Sequence, residues 1–597
     1  MNQPLTPITS MLIGGGMRNC TSSKGAVQPP HGLADWHDIL AKDPAFQGIP
    51  FDGAMFCPPD PEPGRAYRYT ITAHTLTRLA SVPDDLLARP LRQLLGQALR
   101  PHVSPTASLH ADALRALVHT HLRQAGQHAD VLNAAQWAVV LHCLVQPVEA
   151  PLRKRELRTV QYLSDPHSKG IYTRLVQAAR VLGNTQEPRI GVVTAASDNP
   201  FEEADINVFA LRSAGANAIY LPLNGGLLRA MAHATADHAE LYYEAYANTG
   251  TDQPHWHSCL RFPDYAQQLC AMAANQGEEL HRVLASLDGI YFSGGDQARI
   301  LEAWVQPDSE GELRQASPWL TLLRERFAQG RLLVAGTSAG NHIQGGGLWH
   351  GRPVPMLGGG DSYAALQRGF EPGLGAALET PARARVYGHG GLATFAFGVL
   401  DSHFSQRCRE GRLARATLEY GMDYGFGIDE NTALVVHQAD ANGTTHMAVQ
   451  GEYGVWVLDA RQAQSATDKG TCFRAHGFIA HHLHEGDTLT MDARGDLQVQ
   501  LSPQRPELQR HPDAQTVAMH QVQDYDSHQF AKLAAHMGRT GAQSAHGDTR
   551  HSADGRTQQD KPIFAITLTR DTQTCFRGDD TQLAYSGLRI AFFPLEV

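Results

Sequence analysis

The spacing of apolar and polar positions changes several times along this chain, and each change marks a different kind of element. "SMLIGGG" is a short apolar run, Met11 to Ile13, cut off by three glycines, the pattern of a buried strand ending in a turn. "FDGAMFCPPDPEPGRAYRYT" is dense in proline and glycine and reads as loop. From about Pro83 to Val160 the period lengthens to that of a helix. "DDLLARPLRQLLGQAL", "ADALRALVHTHLRQA" and "AAQWAVVLHCLV" each repeat apolar residues at helical spacing.

A third pattern starts at Arg189. "RIGVVTAAS" is a continuous apolar run, as expected of a parallel strand covered on both faces. "NVFALRSAGANAIYLPL" gives a helix, a glycine stop and a strand, and "LDGIYFSGGDQ" a strand closed by a glycine pair. "LTLLRERFAQG" is an amphipathic helix with a terminal glycine that runs into the strand of "RLLVAGTSAG". Strands alternating with helices predict an α/β fold, a mostly parallel sheet flanked by helices. Ligand sites of such sheets lie beyond the carboxyl ends of the strands. Gly14–Gly16, Gly294–Gly295 and Gly336–Gly340 all fall at such ends, so the three loops are predicted to meet.

Past Glu430 the alternation is that of strands, in "GVWVLDA" and in "DTLTMDARGDLQVQLS" around a turn at Arg494–Gly495. Residues 539–561 hold almost no apolar side chain and read as a mobile loop, before two last strands in "IFAITLTR" and "LRIAFFPLEV". The predicted division is an α/β domain from 1–20 and 186–470, a mostly helical insertion over 21–185 and a β-rich extension over 471–597.

At 597 residues the chain exceeds what one core usually holds. Its 60 acidic and 50 basic residues leave a charge of −10, which argues against nucleic acid as a partner. Eight scattered cysteines form no C-x-x-C pair, so no zinc ribbon, thioredoxin-like motif or disulfide framework is expected. The start lacks the pattern of a signal peptide and no apolar run reaches membrane-spanning length. A cytoplasmic protein with no membrane partner is the expectation.

"GTSAG", residues 336–340, fits the G-x-S-x-G turn that bares a serine hydroxyl after a buried strand, although a serine capping a tight turn gives the same string. A nucleophilic serine needs a base, a group that orients the base and donors for an oxyanion. His403 in "FGVLDSHFSQRCREGRL" follows a strand end and is the candidate base. The arginines after it, Arg407, Arg409, Arg412 and Arg415, are either a solvated helix face or a carboxylate-binding set. Glu430 in "DYGFGIDENTALVV" is the candidate acid, or simply part of a turn. "PHWHS" and "IAHHLHEGD" resemble metal-ligand runs but read better as core or surface histidines, and no phosphate-binding loop is present. Neither a metal nor a cofactor is expected.

Taken in order, "IGGG", "RIGVVTAAS", "YFSGGDQ", "VAGTSAG", "DSHFSQRCREGRL" and "GFGIDENTALVV" resemble the cyanophycinase group of serine peptidases. That group is similar to the aspartyl dipeptidases and has a fold related to class I glutamine amidotransferases. The resemblance covers residues 11–16 and about 189–460. It implies a catalytic triad of Ser338, His403 and Glu430, and oxyanion donors at the backbone of Gly295 or Asp296 and of Ala339. It further implies a substrate pocket of Gln297, Asp401, Arg407, Arg409 and Arg412, with Ser402 at a position where the family usually carries glutamine. The implied activity is exopeptidase cleavage, through an acyl-enzyme, of cyanophycin, a poly-aspartate bearing arginine on its side chains, to β-Asp-Arg dipeptides. A homodimer is implied as well. Ser402, the 21–185 and 471–597 regions, and Asn341 and His342 where small residues are usual, all depart from the pattern. They leave open a peptidase of short or modified aspartyl or isoaspartyl peptides. A non-catalytic polymer-binding protein is the remaining alternative.

Overall fold

The computed structural model describes residues 5–18, 67–128, 131–146, 165–232, 238–247, 257–307, 313–373, 384–466, 471–509, 511, 515–520, 522, 528–549, 562–579 and 582–595. Two large sheets organise the chain. Their strands begin with β1 (Ile8–Ile13), β2 (Arg189–Val193), β3 (Asn217–Leu221), β4 (Gly289–Phe292) and β5 (Leu333–Thr337). Next come β6 (Val399–Ser402), β7 (Tyr424–Ile428), β8 (Thr432–His437), β9 (Thr445–Gly451) and β10 (Gly454–Asp459). The last are β11 (Ala475–His484), β12 (Thr488–Met491), β13 (Leu497–Gln500), β14 (Val517–Met519), β15 (Ser544–Asp548), β16 (Phe564–Thr569) and β17 (Leu583–Pro594).

The first sheet has nine strands in the order β13-β12-β9-β8-β1-β5-β4-β2-β3. From β1 to β3 all neighbours are parallel, and from β1 outward through β8 all are antiparallel. β5 lies between two parallel partners, which is why "LLVAG" is uniformly apolar: both faces of the strand are covered. Parallel strands send their carboxyl ends to one edge, so the loops after β1, β4 and β5 open side by side.

The second sheet, ten-stranded, runs β6-β7-β10-β11-β17-β16-β15-β14, with two short strands paired off this path. β7 and β8 belong to different sheets but are separated only by Asp429, Glu430 and Asn431. The chain therefore crosses from one sheet to the other at the candidate acid. β6 ends at Ser402, immediately before the candidate base. Each sheet thus delivers part of the site.

Two regions differ from the sequence reading. Residues 471–597 do not stand apart from the α/β unit. β11 pairs along the whole length of β10, and β12 and β13 extend the first sheet. Without them β10 and β9 would be bare edges, which proteins rarely leave open. The stretch 539–561, read as a mobile loop, begins as structure. The helix Gln529–Thr540 buries Phe530, Leu533, Ala534 and Met537, and β15 is held by backbone pairing to β16 despite the polar sequence "SAHGD". Residues 550–561 lie outside the described residues.

The insertion shows the expected helices at Arg89–Leu99, Ala111–Gln124 and Ala134–Leu144. They share a separate core with Tyr67, Tyr69 and Leu79, joined by Leu241 and Ala245 of the α/β unit. All of 21–66 and of 147–164 lie outside the described residues. No described helix is long and apolar enough to cross a membrane.

Trp456 on β10 ties the two halves together. It is buried, stacks on Phe404 with ring centroids 5.1 Å apart, and donates its indole N–H to the Tyr585 hydroxyl at 2.8 Å. Trp456→Ala is expected to lower the unfolding free energy by about 3–5 kcal/mol, measured by denaturant titration, because a large cavity opens between β10 and β17.

Candidate active site

Ser338 directly follows β5 at φ 55° and ψ −109°, a backbone geometry that a residue with a Cβ adopts only when its surroundings enforce it. The enforcement is visible. The Ser338 N–H donates to the Ile13 carbonyl at 2.9 Å, which pins the turn to β1. A Cβ on Gly336 would lie 2.3 Å from the Gly340 carbonyl oxygen, and one on Gly340 would lie 2.2 Å from that of Phe292. Both flanking glycines are therefore required by close backbone approach, and the serine side chain is left to project from the turn.

His403 also has a positive φ, 46°, and its N–H donates to the Gly14 carbonyl at 2.8 Å. Its Nε2 lies 2.8 Å from Ser338 Oγ and its Nδ1 2.5 Å from Glu430 Oε1. A Cβ on Gly15 would fall 2.3 Å from the imidazole, and one on Gly16 2.6 Å from the Glu430 side chain. The triple glycine after β1 thus makes room for both groups. The crossing that carries Glu430 is fastened on each side. The Asp429 carboxylate accepts N–H bonds from Ser405 and Gly454 and faces His482. The Asn431 amide donates to Asp165 and Glu452, and the Arg18 guanidinium reaches both carboxylates.

Burial is the largest influence on His403. It holds the imidazole down at about 4, and the nearby Arg407 and Arg409 charges push the same way against the Glu430 hydrogen bond. That same hydrogen bond holds the Glu430 carboxyl below its ordinary value. Near neutral pH the ring is therefore uncharged beside a carboxylate. Its single N–H then belongs on Nδ1, donated to Glu430, and Nε2 presents a lone pair to the serine hydroxyl.

The residues expected around this relay divide. Gly294 packs against Ser338, where an added Cβ would sit 3.2 Å from the serine Cβ, and Ala339 opens the short helix that Ser338 precedes. The Asp296 N–H is turned away, donating to the Ala196 carbonyl at 2.9 Å, so it is removed from the oxyanion set. Gln297 is buried and its amide donates to the Leu357 carbonyl. Arg407 is partly exposed, and its charge acts on both His403 and Glu430.

Asp401, Arg409, Arg412 and Ser402 do not form an open pocket. Asp401 is 0% exposed and receives Arg412 through two bonds of 2.7 and 2.6 Å, with Arg409 at 3.1 Å. These guanidinium charges hold its carboxyl far below the usual range against the opposing effect of burial. Arg412 is 1% exposed and spends its remaining nitrogen on the Gly360 carbonyl. Ser402, also fully buried, faces the His342 ring at 3.3 Å. A buried carboxylate attracts the nearest cations, and two arginines on the following helical segment are within reach. Arg415, read as part of the same run, bonds Glu419 and the carbonyls of Leu366 and Thr471.

Gln406, which accepts the Glu430 N–H at 3.0 Å, and His342, which contacts Asp401, carry roles that sequence reasoning passed over. The position of His342 four residues after Ser338 was the available signal, since one helical turn returns it beneath the serine. The histidines of the two suspected metal runs are otherwise engaged: His257 with the Tyr69 hydroxyl, His482 with Asp429 and His484 with the Leu583 carbonyl. His255 lies outside the described residues, among which no group of three or more metal-ligating side chains occurs.

A cleft of about 510 Å3 opens against Gly294 and Gly295. Its walls carry Asp198, Glu202, Glu203 and Asp296, and Arg299 pairs with Asp198 at 2.8 Å.

Fold and site together define an α/β protein with Ser338, His403 and Glu430 hydrogen-bonded in series at the carboxyl ends of the parallel strands of a mixed sheet. Comparison with known proteins narrows this. The chain is similar to the cyanophycinases of Trichormus variabilis and of a Nostoc species, each 32% identical over 216 residues, 35% of this chain. It spans 60% of the length of these two relatives. The cyanophycinase of Geminocystis herdmanii is 27% identical over 219 residues, 36% of this chain and 66% of that protein. Over this third of its length the chain is cyanophycinase-like. No protein-family model matches it. A solved peptidase from an acI-B1 Actinobacterium aligns with 54% of this chain and 91% of its own at 17% identity and a TM-score of 0.29.

Gly15→Ala tests the geometry directly. The added methyl must displace the imidazole, and reaction of Ser338 with a fluorophosphonate is expected to slow by about 100-fold, followed by mass spectrometry of the labelled peptide.

Proposed function

We propose that this chain is a cyanophycinase-like serine peptidase acting by an acyl-enzyme. The observation that carries the reading is the 2.8 Å approach of His403 Nε2 to Ser338 Oγ, with Glu430 behind the ring. In this scheme the Ser338 oxygen attacks a peptide carbonyl as its proton passes to His403. The N–H groups of Gly295 and Ala339 receive the oxyanion, and the imidazolium returns the proton to the leaving amine. Water then repeats the sequence on the ester and frees the enzyme. Each step is acid–base and acyl-transfer chemistry that these side chains supply.

The acidic cleft beside Gly294–Gly295 supports a substrate bearing cationic side chains, as an aspartate polymer with arginine branches does. The buried pairing of Asp401 with Arg409 and Arg412 favours a second reading for specificity. These groups are committed to one another, so substrate recognition differs from that implied by the motif, and short or modified aspartyl peptides are the alternative.

Ser338→Ala is expected to lower release of Asp-Arg dipeptides by at least about 1,000-fold with the fold intact, read by mass analysis of products from polymer and short aspartyl peptides in parallel. Full turnover by that variant would refute the serine assignment. Products from the short peptides alone would select the second reading.

The pH profile gives an independent check. The base works unprotonated, and burial holds His403 near 4 rather than at the ordinary histidine value. As pH falls, kcat/KM should therefore persist through the usual histidine range and decline only towards about pH 4. An acid limb centred near the ordinary value of 6.5 would contradict the burial of this ring.

A further inference from the structure

His342 occupies a buried position from which it touches both Ser338 and Ser402, the residue before His403. The ring is 4% exposed. Its Nε2 lies 3.2 Å from Asp401 Oδ1, and its Nδ1 lies 3.1 Å from the Ser338 carbonyl oxygen and 3.3 Å from Ser402 Oγ. Ser402 directly precedes His403, and His342 is one helical turn beyond Ser338. The contacts close a ring: nucleophile, His342, Ser402, base, and back to the nucleophile.

Charge and hydrogen-bond capacity fix which nitrogen carries the proton. Asp401 already holds Arg409 and Arg412, so the buried set has one negative and two positive charges. A third cation there is disfavoured, and the ring is neutral with one N–H. On Nδ1 that proton would leave an Nε2 lone pair against a carboxylate. On Nε2 it is donated to Asp401, and Nδ1 becomes an acceptor. The Ser338 carbonyl has donors of its own, the N–H groups of Asn341 and His342 at 3.0 and 3.2 Å. The Ser402 hydroxyl is then the group that donates to Nδ1.

We infer that His342, its tautomer set by Asp401 and its Nδ1 met by the Ser402 hydroxyl, is a positioning residue that fixes the separation of Ser338 from His403. The inference rests on the proposed function, since it assigns a purpose to that separation. Position 402 then acts on the relay from within the core and not through the substrate. The two departures at 342 and 402 become one feature, a ring and the hydroxyl that meets it.

The test is a double-mutant cycle with two readouts, polymer hydrolysis and the fluorophosphonate labelling rate of Ser338, alongside Ser338→Ala. His342→Ala is expected to lower kcat and the labelling rate by about 10–100-fold at unchanged KM, since small displacements of a nucleophile are costly. Ser402→Ala should lower both by roughly 3–10-fold, and the double variant should be no worse than His342→Ala, because the two residues act through one contact. His342→Gln, whose amide both donates and accepts, should recover most of the loss. A raised KM at constant kcat, or losses that multiply in the double variant, would overturn the inference. If His342→Ala does not fold, Ser402→Ala and His342→Gln decide by the same criteria. Wild-type protein that fails to label at Ser338, or full activity in Ser338→Ala, would instead sink the functional reading and the inference with it.

Discussion

Between Gly14 and Gly16 the backbone runs so close to His403 and Glu430 that no side chain fits between them. That approach is the constraint on which the site depends. Carbonyl oxygens in this stretch accept the N–H groups of Ser338, His403 and Asn431, from Ile13, Gly14 and Gly15 in turn. Three consecutive carbonyls at the end of one strand thus fix the backbone at Ser338, at His403 and next to Glu430. Positive φ values at Ser338, His403 and Asn431 are the local strain that this convergence requires, and the hydrogen bonds offset it.

The same convergence explains why two sheets are needed. A parallel sheet places loops on one edge, but β1 and β5 alone supply only the serine and the glycine rim. His403 follows β6 and Glu430 lies in the crossing between β7 and β8, so the second sheet must be held in register with the first. The cross-strand pairing of β10 with β11 and of β11 with β17 extends that second sheet into residues past 470. The carboxyl-terminal region therefore contributes to the placement of His403, through Tyr585 against Trp456 and Trp456 against Phe404.

Much of this was legible in the sequence because it follows from short-range rules. Apolar runs ended by glycine gave β1, β4 and β5, and G-T-S-A-G gave the strained turn, since only glycine tolerates the close approaches at 336 and 340. The role of Asp296 in the expected oxyanion set was not legible, because its N–H is committed to a loop 100 residues earlier, at Ala196. The arginines after His403 misled for a related reason. Their helical spacing is visible in the chain, but whether they face solvent, substrate or a buried carboxylate depends on where Asp401 sits. The strand "SAHGD" carries no apolar signal at all; backbone pairing with β16 makes it a strand.

Burying Asp401 with two arginines is a costly way to fill a core. An apolar substitute of similar volume would often serve stability equally well. What an apolar group lacks is direction. The Asp401 carboxylate takes Arg412 along two bonds and Arg409 along a third, leaves one face for His342, and accepts its own following N–H at Ser402. Its backbone carbonyl receives the Asn341 amide. Helix Ala339–His342 and the end of β6 are thereby fixed to one another in angle as well as distance. A relay whose serine and histidine arrive from separate sheets needs that angular restraint, because a loose apolar contact permits sliding of the order of the hydrogen-bond tolerance itself. Asp401 with Arg409 and Arg412 is the internal brace between that helix and the end of β6.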